Sequence, residues 1–203
     1  GHAVLMAREV VGDEPFAVLL PDDIILGQYP ALSQLLSVTR QPEASVLAVE
    51  EVPLENISAY GAVKPRAIRD DLFEVLGLVE KPSPEEAPSN LGVVGRYILT
   101  PEVFEALDRV TPGANGELQL TDGIALLLEH QKVYAVRVQG RRHDAGNPLG
   151  LLQTAVALAL HRDDLAPSLL QWLREYIGEG GSMTQAGKES GNPDPSQVRR
   201  DQT

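Results

Sequence analysis

Five short stretches concentrate the residues able to do chemistry. Asp22 and Asp23 follow directly on the apolar run Phe16-Ala17-Val18-Leu19-Leu20. Carboxylates at such a point suit a hard cation such as Mg2+, which takes oxygen ligands and commonly uses one or two protein carboxylates besides phosphates and water. An Asp that caps a turn fits the same pattern. Glu80-Lys81-Pro82 closes a second apolar run. Its carboxylate can accept hydrogen bonds from neighbouring sugar hydroxyls, and its ammonium is a point charge for a phosphate. In a regular strand the two side chains alternate between faces, so their meeting in one pocket requires irregular backbone next to Pro82. A surface ion pair at a strand end is the other account.

Arg141-Arg142-His143-Asp144-Ala145-Gly146 lies beyond a third apolar run. Asp144 offers a second oxygen ligand for the same cation, and Gly146 allows close backbone approach. An ordinary polar connection explains these residues as well, and His143 reads as a hydrogen-bonded structural residue. Tyr60-Gly61 can present backbone N–H and C=O groups to a sugar, or simply turn the chain. Gly116-Glu117-Leu118-Gln119-Leu120-Thr121-Asp122 is a polar helix entry in which Thr121 is expected to cap.

Other chemistries are excluded by what is missing. The chain of 203 residues contains no cysteine, which removes thiolate nucleophiles and Cys-ligated zinc. It has no Gly-x-Ser-x-Gly, no His-Glu-x-x-His and no complete Walker loop. With a net charge of −12 and no run of more than two Lys or Arg, as at Arg141-Arg142, nucleic acid is not an expected partner. Apolar runs such as 16–20 and 124–128 fall far short of the roughly 20 residues of a membrane span, so a cytoplasmic protein is expected.

The elements that must position these groups follow from the hydrophobic pattern. Helical spacing covers 2–11 and is stopped by Gly12. The continuous run at 16–20 suits a strand buried on both faces. Leu32, Leu35 and Leu36 mark a helix. Strands are expected at 44–52, 72–79, 92–99 and 133–138, with a loop at 82–90. Thr100-Pro101 is expected to open a helix containing Val103, Phe104 and Leu107, and further helices at 121–130, 149–160 and 166–177 follow. Strands alternating with helices imply an α/β fold with a mostly parallel sheet. Residues 178–203 hold almost no apolar side chains and read as a disordered tail after a domain at 1–177. A sheet of this type normally starts with a strand and a phosphate-binding loop. The chain instead opens inside a helical pattern, which predicts that the first strands lie in a longer chain.

One family contains these pieces in the same order. Pro15-Phe16-Ala17-Val18-Leu19-Leu20-Pro21-Asp22-Asp23, Tyr60-Gly61, Val79-Glu80-Lys81-Pro82, Ala87-Pro88-Ser89-Asn90-Leu91, Val94-Gly95-Arg96-Tyr97, the 116–122 segment and Arg142-His143-Asp144-Ala145-Gly146-Asn147-Pro148-Leu149-Gly150 succeed one another across residues 1–165. The set resembles the bacterial UTP–glucose-1-phosphate uridylyltransferases, also called UDP-glucose pyrophosphorylases.

The resemblance implies a Rossmann-like nucleotidyltransferase fold, a mixed, mostly parallel sheet flanked by helices, and Mg2+-dependent formation of UDP-glucose and pyrophosphate from UTP and glucose 1-phosphate. It implies that Asp22 and Asp144 hold Mg2+, that Glu80 binds glucose hydroxyls, and that Lys81 meets the sugar phosphate. Gly61 would contact the sugar through its backbone, and Val94 and Gly95 would line the same pocket. Asp23 matches a variable position and stays outside the metal site. The family's Gly-rich, UTP-gripping loop would precede Gly1, so this chain is expected to bind UTP poorly. The resemblance also implies a homo-oligomer. Two alternatives stand beside it: a nucleotidyltransferase for another sugar nucleotide, and a truncated noncatalytic relative that assembles with or regulates an intact enzyme.

Overall fold

The computed structural model describes residues 1–38, 44–113 and 116–179. Two short helical turns come first, α1 (His2–Leu5) and α2 (Arg8–Val11), where one longer helix was expected. Gly12 ends α2 at φ 67°, a left-handed conformation that glycine adopts without a steric penalty. There follow β1 (Phe16–Leu19), β2 (Asp23–Leu26), α3 (Ala31–Leu36) and β3 (Ser45–Glu51). A 3-10 turn at Leu54–Ala59 leads into β4 (Gly61–Arg69), β5 (Leu72–Glu80) and β6 (Leu91–Leu99). The chain continues through α4 (Glu102–Arg109), α5 (Leu120–Leu127), β7 (Val133–Arg137), β8 (Arg141–Asp144), α6 (Pro148–Leu160) and α7 (Ala166–Glu179).

Six strands form one sheet in the order β1-β6-β3-β7-β5-β4, and β2 pairs with β8 in a separate ribbon. The expected mixed α/β sheet is present, but its directions differ from a mostly parallel one. Among the described residues β3–β7 is the parallel pair, while the β1–β6, β3–β6, β4–β5, β4–β6 and β5–β7 pairs run antiparallel. The reason is connection length. β4 and β5 are joined by a tight turn, with Arg69 opposite Leu72, which allows only an antiparallel pair. β3 and β7 are separated by enough chain, helices included, for a crossover.

The middle of β3, Val46 to Val49, shows why a strand can be continuously apolar. Val46 and Ala48 enter one cluster with Leu35, Val94, Ile98 and Val136, while Leu47 and Val49 enter another with Leu99, Phe104, Leu107, Ile124 and Leu127. Successive side chains alternate between faces and both faces are covered, so no position needs a polar residue. β1 corrects the reading of 16–20. It stands at the end of the strand order and alternates in burial, with Leu19 52% exposed. An apolar run alone does not distinguish a central strand from an edge.

Three strands escaped the pattern. β4 carries Lys64, Pro65 and Arg66, and its register shifts between Lys64 and Pro65, an irregularity that accommodates a residue unable to donate to the ladder. β2 and β8 are four residues each and, among the described residues, pair only with each other. Thr121 lies within α5 rather than before it. Gln119 occupies the cap position, with no side-chain cap bond.

The chain divides into two compact units, Gly1–Thr154 and the part from Ala155 onward. In the second, the Trp172 and Tyr176 rings stack at 5.3 Å on α7. The expected tail begins two residues inside α7, and 180–203 lie outside the described residues.

Candidate active site

The β2–β8 ribbon sets the first pair of carboxylates. Asp23 is opposite Asp144 in register, which places Asp22, one residue earlier, beside the turn that follows β8. The Ala145 N–H donates to the Asp22 carbonyl at 2.8 Å, and the Gly146 N–H donates to Asp144 Oδ1 at 2.8 Å. Above Gly146 a Cβ would stand 3.0 Å from Asp22 Oδ2 and 3.1 Å from Asp144 Oδ1. Two carboxylates 122 positions apart in sequence therefore face one another across space that the missing side chain leaves open. Both residues are exposed. The described residues contain no group of three or more His, Cys, Asp or Glu side chains able to hold a metal. Opposed carboxylate oxygens with open coordination positions nonetheless fit a Mg2+-like ion that completes its shell with phosphate and water.

The second group lies where β4 begins and β5 ends. Gly61 is opposite Glu80, and a Cβ on Gly61 would stand 3.3 Å from Glu80 Oε2 and 3.2 Å from Thr121 Oγ1. Lys81 is the non-glycine residue with positive φ among those described, at 44°. Its N–H donates to the Tyr60 carbonyl at 2.9 Å, and its Nζ lies 3.8 Å from Glu80 Oε1. The irregular backbone that the sequence required is thus present. A left-handed residue breaks strand alternation and brings adjacent Glu80 and Lys81 to one side.

Tyr97, which is 8% exposed, feels carboxylates of both groups. Burial first, and then the negative charges of Asp23, Glu80 and Asp22, push its hydroxyl well above the ordinary phenol value. The phenol therefore stays protonated and available as a donor.

Asp23 has a separate task. Its carboxylate accepts the Gly95 N–H at 2.8 Å and pairs with Arg142 Nε, while Arg96 Nη2 donates to its carbonyl. Arg142 Nη1 also donates to Tyr60 Oη at 2.8 Å and lies 3.4 Å from Glu50 Oε1. The guanidinium rests 5.1 Å from the Tyr60 ring centroid. Burial lowers the Arg142 pKa and the Asp23 charge raises it, with a net upward shift. Burial raises the Glu50 carboxyl against the opposing effect of Arg142.

Of the residues expected from sequence, Asp22 with Asp144, and Gly61 with Glu80 and Lys81, are brought together. Val94 and Gly95 are placed differently. Val94 is fully buried in the apolar cluster with Leu35, and a Cβ on Gly95 would meet Asp23 Oδ2 and Leu20 Cβ at 2.6 Å. His143 is buried, as expected of a structural histidine. Sequence reasoning missed Tyr60, Glu50, Asp23 and Arg142 as a connected set. The signal available was weak: an Arg two residues before a candidate ligand, and an aromatic before a glycine.

In a six-stranded mixed sheet, carboxylates and a lysine gathered at strand ends lie where open α/β sheets bind their ligands. The nucleotidyl transferase family matches residues 1–160, and the chain belongs to that family. More particularly, it is 41% identical over 175 residues to the UTP–glucose-1-phosphate uridylyltransferase of Staphylococcus epidermidis, covering 86% of this chain and 61% of the relative. It is 42% identical over 179 residues to that of Bacillus subtilis, covering 88% and 61%. Among solved structures, a UDP-glucose pyrophosphorylase complexed with UDP-glucose superposes with a TM-score of 0.75 at 38% identity, covering 79% of this chain and 62% of that one. The UTP-bound enzyme of Acinetobacter baumannii gives 0.77 at 37% identity, covering 86% and 61%. The chain thus spans about three-fifths of the length of these relatives.

Proposed function

We propose that this chain carries the sugar-phosphate and cation-binding part of a UTP–glucose-1-phosphate uridylyltransferase, the activity named for its relatives. The observation that carries this reading is the left-handed Lys81, which sets an ammonium and the Glu80 carboxylate side by side against Gly61. That pairing matches a phosphorylated sugar, one end anionic and the rest hydroxyls. Glu80 accepts hydrogen bonds from glucose hydroxyls, and Lys81 neutralises the glucose 1-phosphate oxygens. Gly61, which has no side chain, would contact the sugar through its backbone.

A phosphate oxygen of glucose 1-phosphate attacks the α-phosphorus of UTP. A new P–O bond forms as the bond to pyrophosphate breaks. No protein nucleophile is required. The chain's contribution is to position the attacking group and to offset charge through Lys81. Asp22 and Asp144 would hold Mg2+, which when bound supplies charge neutralisation for the nucleotide phosphates. A homo-oligomer belongs to the same reading and is supported by the exposed Leu170, Trp172, Tyr176 and Ile177 of α7. No helix among the described residues is long and apolar enough to cross a membrane.

Calorimetry of the 203-residue chain with glucose 1-phosphate and Mg2+ tests the sugar site, with saturable binding that Glu80→Gln weakens as the expected result. A pyrophosphate-release assay with UTP, dTTP, ATP and GTP tests the base. Indifference of sugar-phosphate binding to Glu80 and Lys81 overturns the assignment.

A further inference from the structure

We propose that Tyr60 and Arg142 are positioning residues that fasten the Glu80–Lys81 turn to the Asp22–Asp144 carboxylate pair. The inference rests on the proposed function and assigns how its two half-sites are kept in register. A short path of fixed groups joins them. The Tyr60 carbonyl accepts the N–H of left-handed Lys81, and the Tyr60 hydroxyl accepts from Arg142 Nη1. Arg142 Nε then pairs with Asp23, the covalent neighbour of Asp22, and Arg142 itself stands two residues before Asp144 on β8.

Each member of the path is held from more than one side. The Tyr60 ring lies against bare backbone at Gly92, where a Cβ would approach it to 3.0 Å, and carries the guanidinium 5.1 Å from its centroid. The Arg142 side chain is 14% exposed and that of Asp23 10%. Three acceptors, Asp23, Tyr60 and Glu50, occupy its planar fork, a geometry that the single ammonium of lysine does not reproduce. A buried ion pair is a poor source of stability, because desolvation offsets much of the attraction. It is, however, directional. A displacement of about 1 Å between reacting groups can cost on the order of a hundredfold in rate, so a directional tie between half-sites has a purpose that packing alone does not serve.

The test uses Tyr60→Phe, Arg142→Lys and the double variant of the 203-residue chain. Mn2+ affinity by electron paramagnetic resonance reports the carboxylate pair, calorimetry with glucose 1-phosphate reports the Lys81 side, and circular dichroism reports folding. Tyr60→Phe keeps the ring and is expected to melt like the parent and bind Mn2+ like it, while losing about fivefold in glucose 1-phosphate affinity. Arg142→Lys is expected to lose about tenfold for both probes in folded protein, and the double variant to match Arg142→Lys because both changes break one path. A purely structural role would lower melting and leave the affinities of the folded protein intact. Parental affinities in both single variants overturn the inference and leave the proposed function standing. A parent chain that binds neither probe removes the proposed function, and this inference with it.

Discussion

The Gly95 amide donates to Asp23 Oδ2 at 2.8 Å, and this bond is where the six-stranded sheet meets the β2–β8 ribbon. The contact is so close that a Cβ on Gly95 would stand 2.6 Å from both Asp23 Oδ2 and Leu20 Cβ. Gly95→Ala is therefore expected to lose about 1–3 kcal/mol of stability through overpacking, read as a lower urea midpoint. A midpoint equal to the parent's would show that Leu20 and Asp23 move aside freely.

Gly146 is a different case, because it is exposed and its neighbours are the two carboxylates themselves. Adding a methyl group 3.0 Å from Asp22 Oδ2 and 3.1 Å from Asp144 Oδ1 pushes them apart with little effect on packing. Gly146→Ala should melt within a few degrees of the parent and bind Mn2+ about tenfold more weakly. Asp144→Asn should abolish that binding. Unchanged metal affinity in both variants would remove these residues from the cation site.

For the proposed transfer reaction, measured in a full-length version, Lys81→Ala is expected to lower turnover about tenfold or more, because charge offset at the phosphate is lost in the transition state. Glu80→Gln should act mainly on the KM for glucose 1-phosphate. Steady-state kinetics with each substrate varied separates the two, and normal constants for Lys81→Ala would contradict its role.

Glu50 gives a pH dependence of defined sign. Burial raises its carboxyl above the ordinary value of 4.5, so the folded chain holds this proton more tightly than the unfolded chain. The stability that Glu50 contributes is fully present below 4.5 and is lost as pH rises through the raised folded value. Glu50→Gln should accordingly melt above the parent at pH 7.5, with the difference shrinking toward zero on acidification. A variant that melts lower at pH 7.5 would mean that the pairing with Arg142 outweighs burial.

The sequence made the large elements legible because their period is their environment: β3 reads apolar from Val46 to Val49, and both of its faces are covered there. The short ribbon was not legible. Four residues give too little alternation to detect, and β8 reads Arg-Arg-His-Asp, whose polarity suits a loop until Asp23 and Tyr60 are seen to receive Arg142. Strand direction was equally hidden, since apolar runs carry no sign of parallel or antiparallel pairing. Asp22, Gly61, Glu80, Lys81 and Asp144 were reached through their order along the chain. What that order did not reveal is the sideways connection among Tyr60, Arg142 and Asp23, which depends on partners distant in sequence. Thr121 shows the converse: a residue typical of caps sits inside α5, with its hydroxyl near Gly61.

The backbone of Lys81 carries a further consequence. A side-chain-bearing residue at φ 44° holds roughly 1 kcal/mol or more of conformational strain that glycine would not. Lys81→Gly should therefore raise the melting temperature of the chain while removing the charge proposed to meet phosphate. Selection for robustness alone would drive this position toward glycine. On the proposed function, the fold tolerates a locally unfavourable residue at this turn because a cation beside Glu80 is useful there.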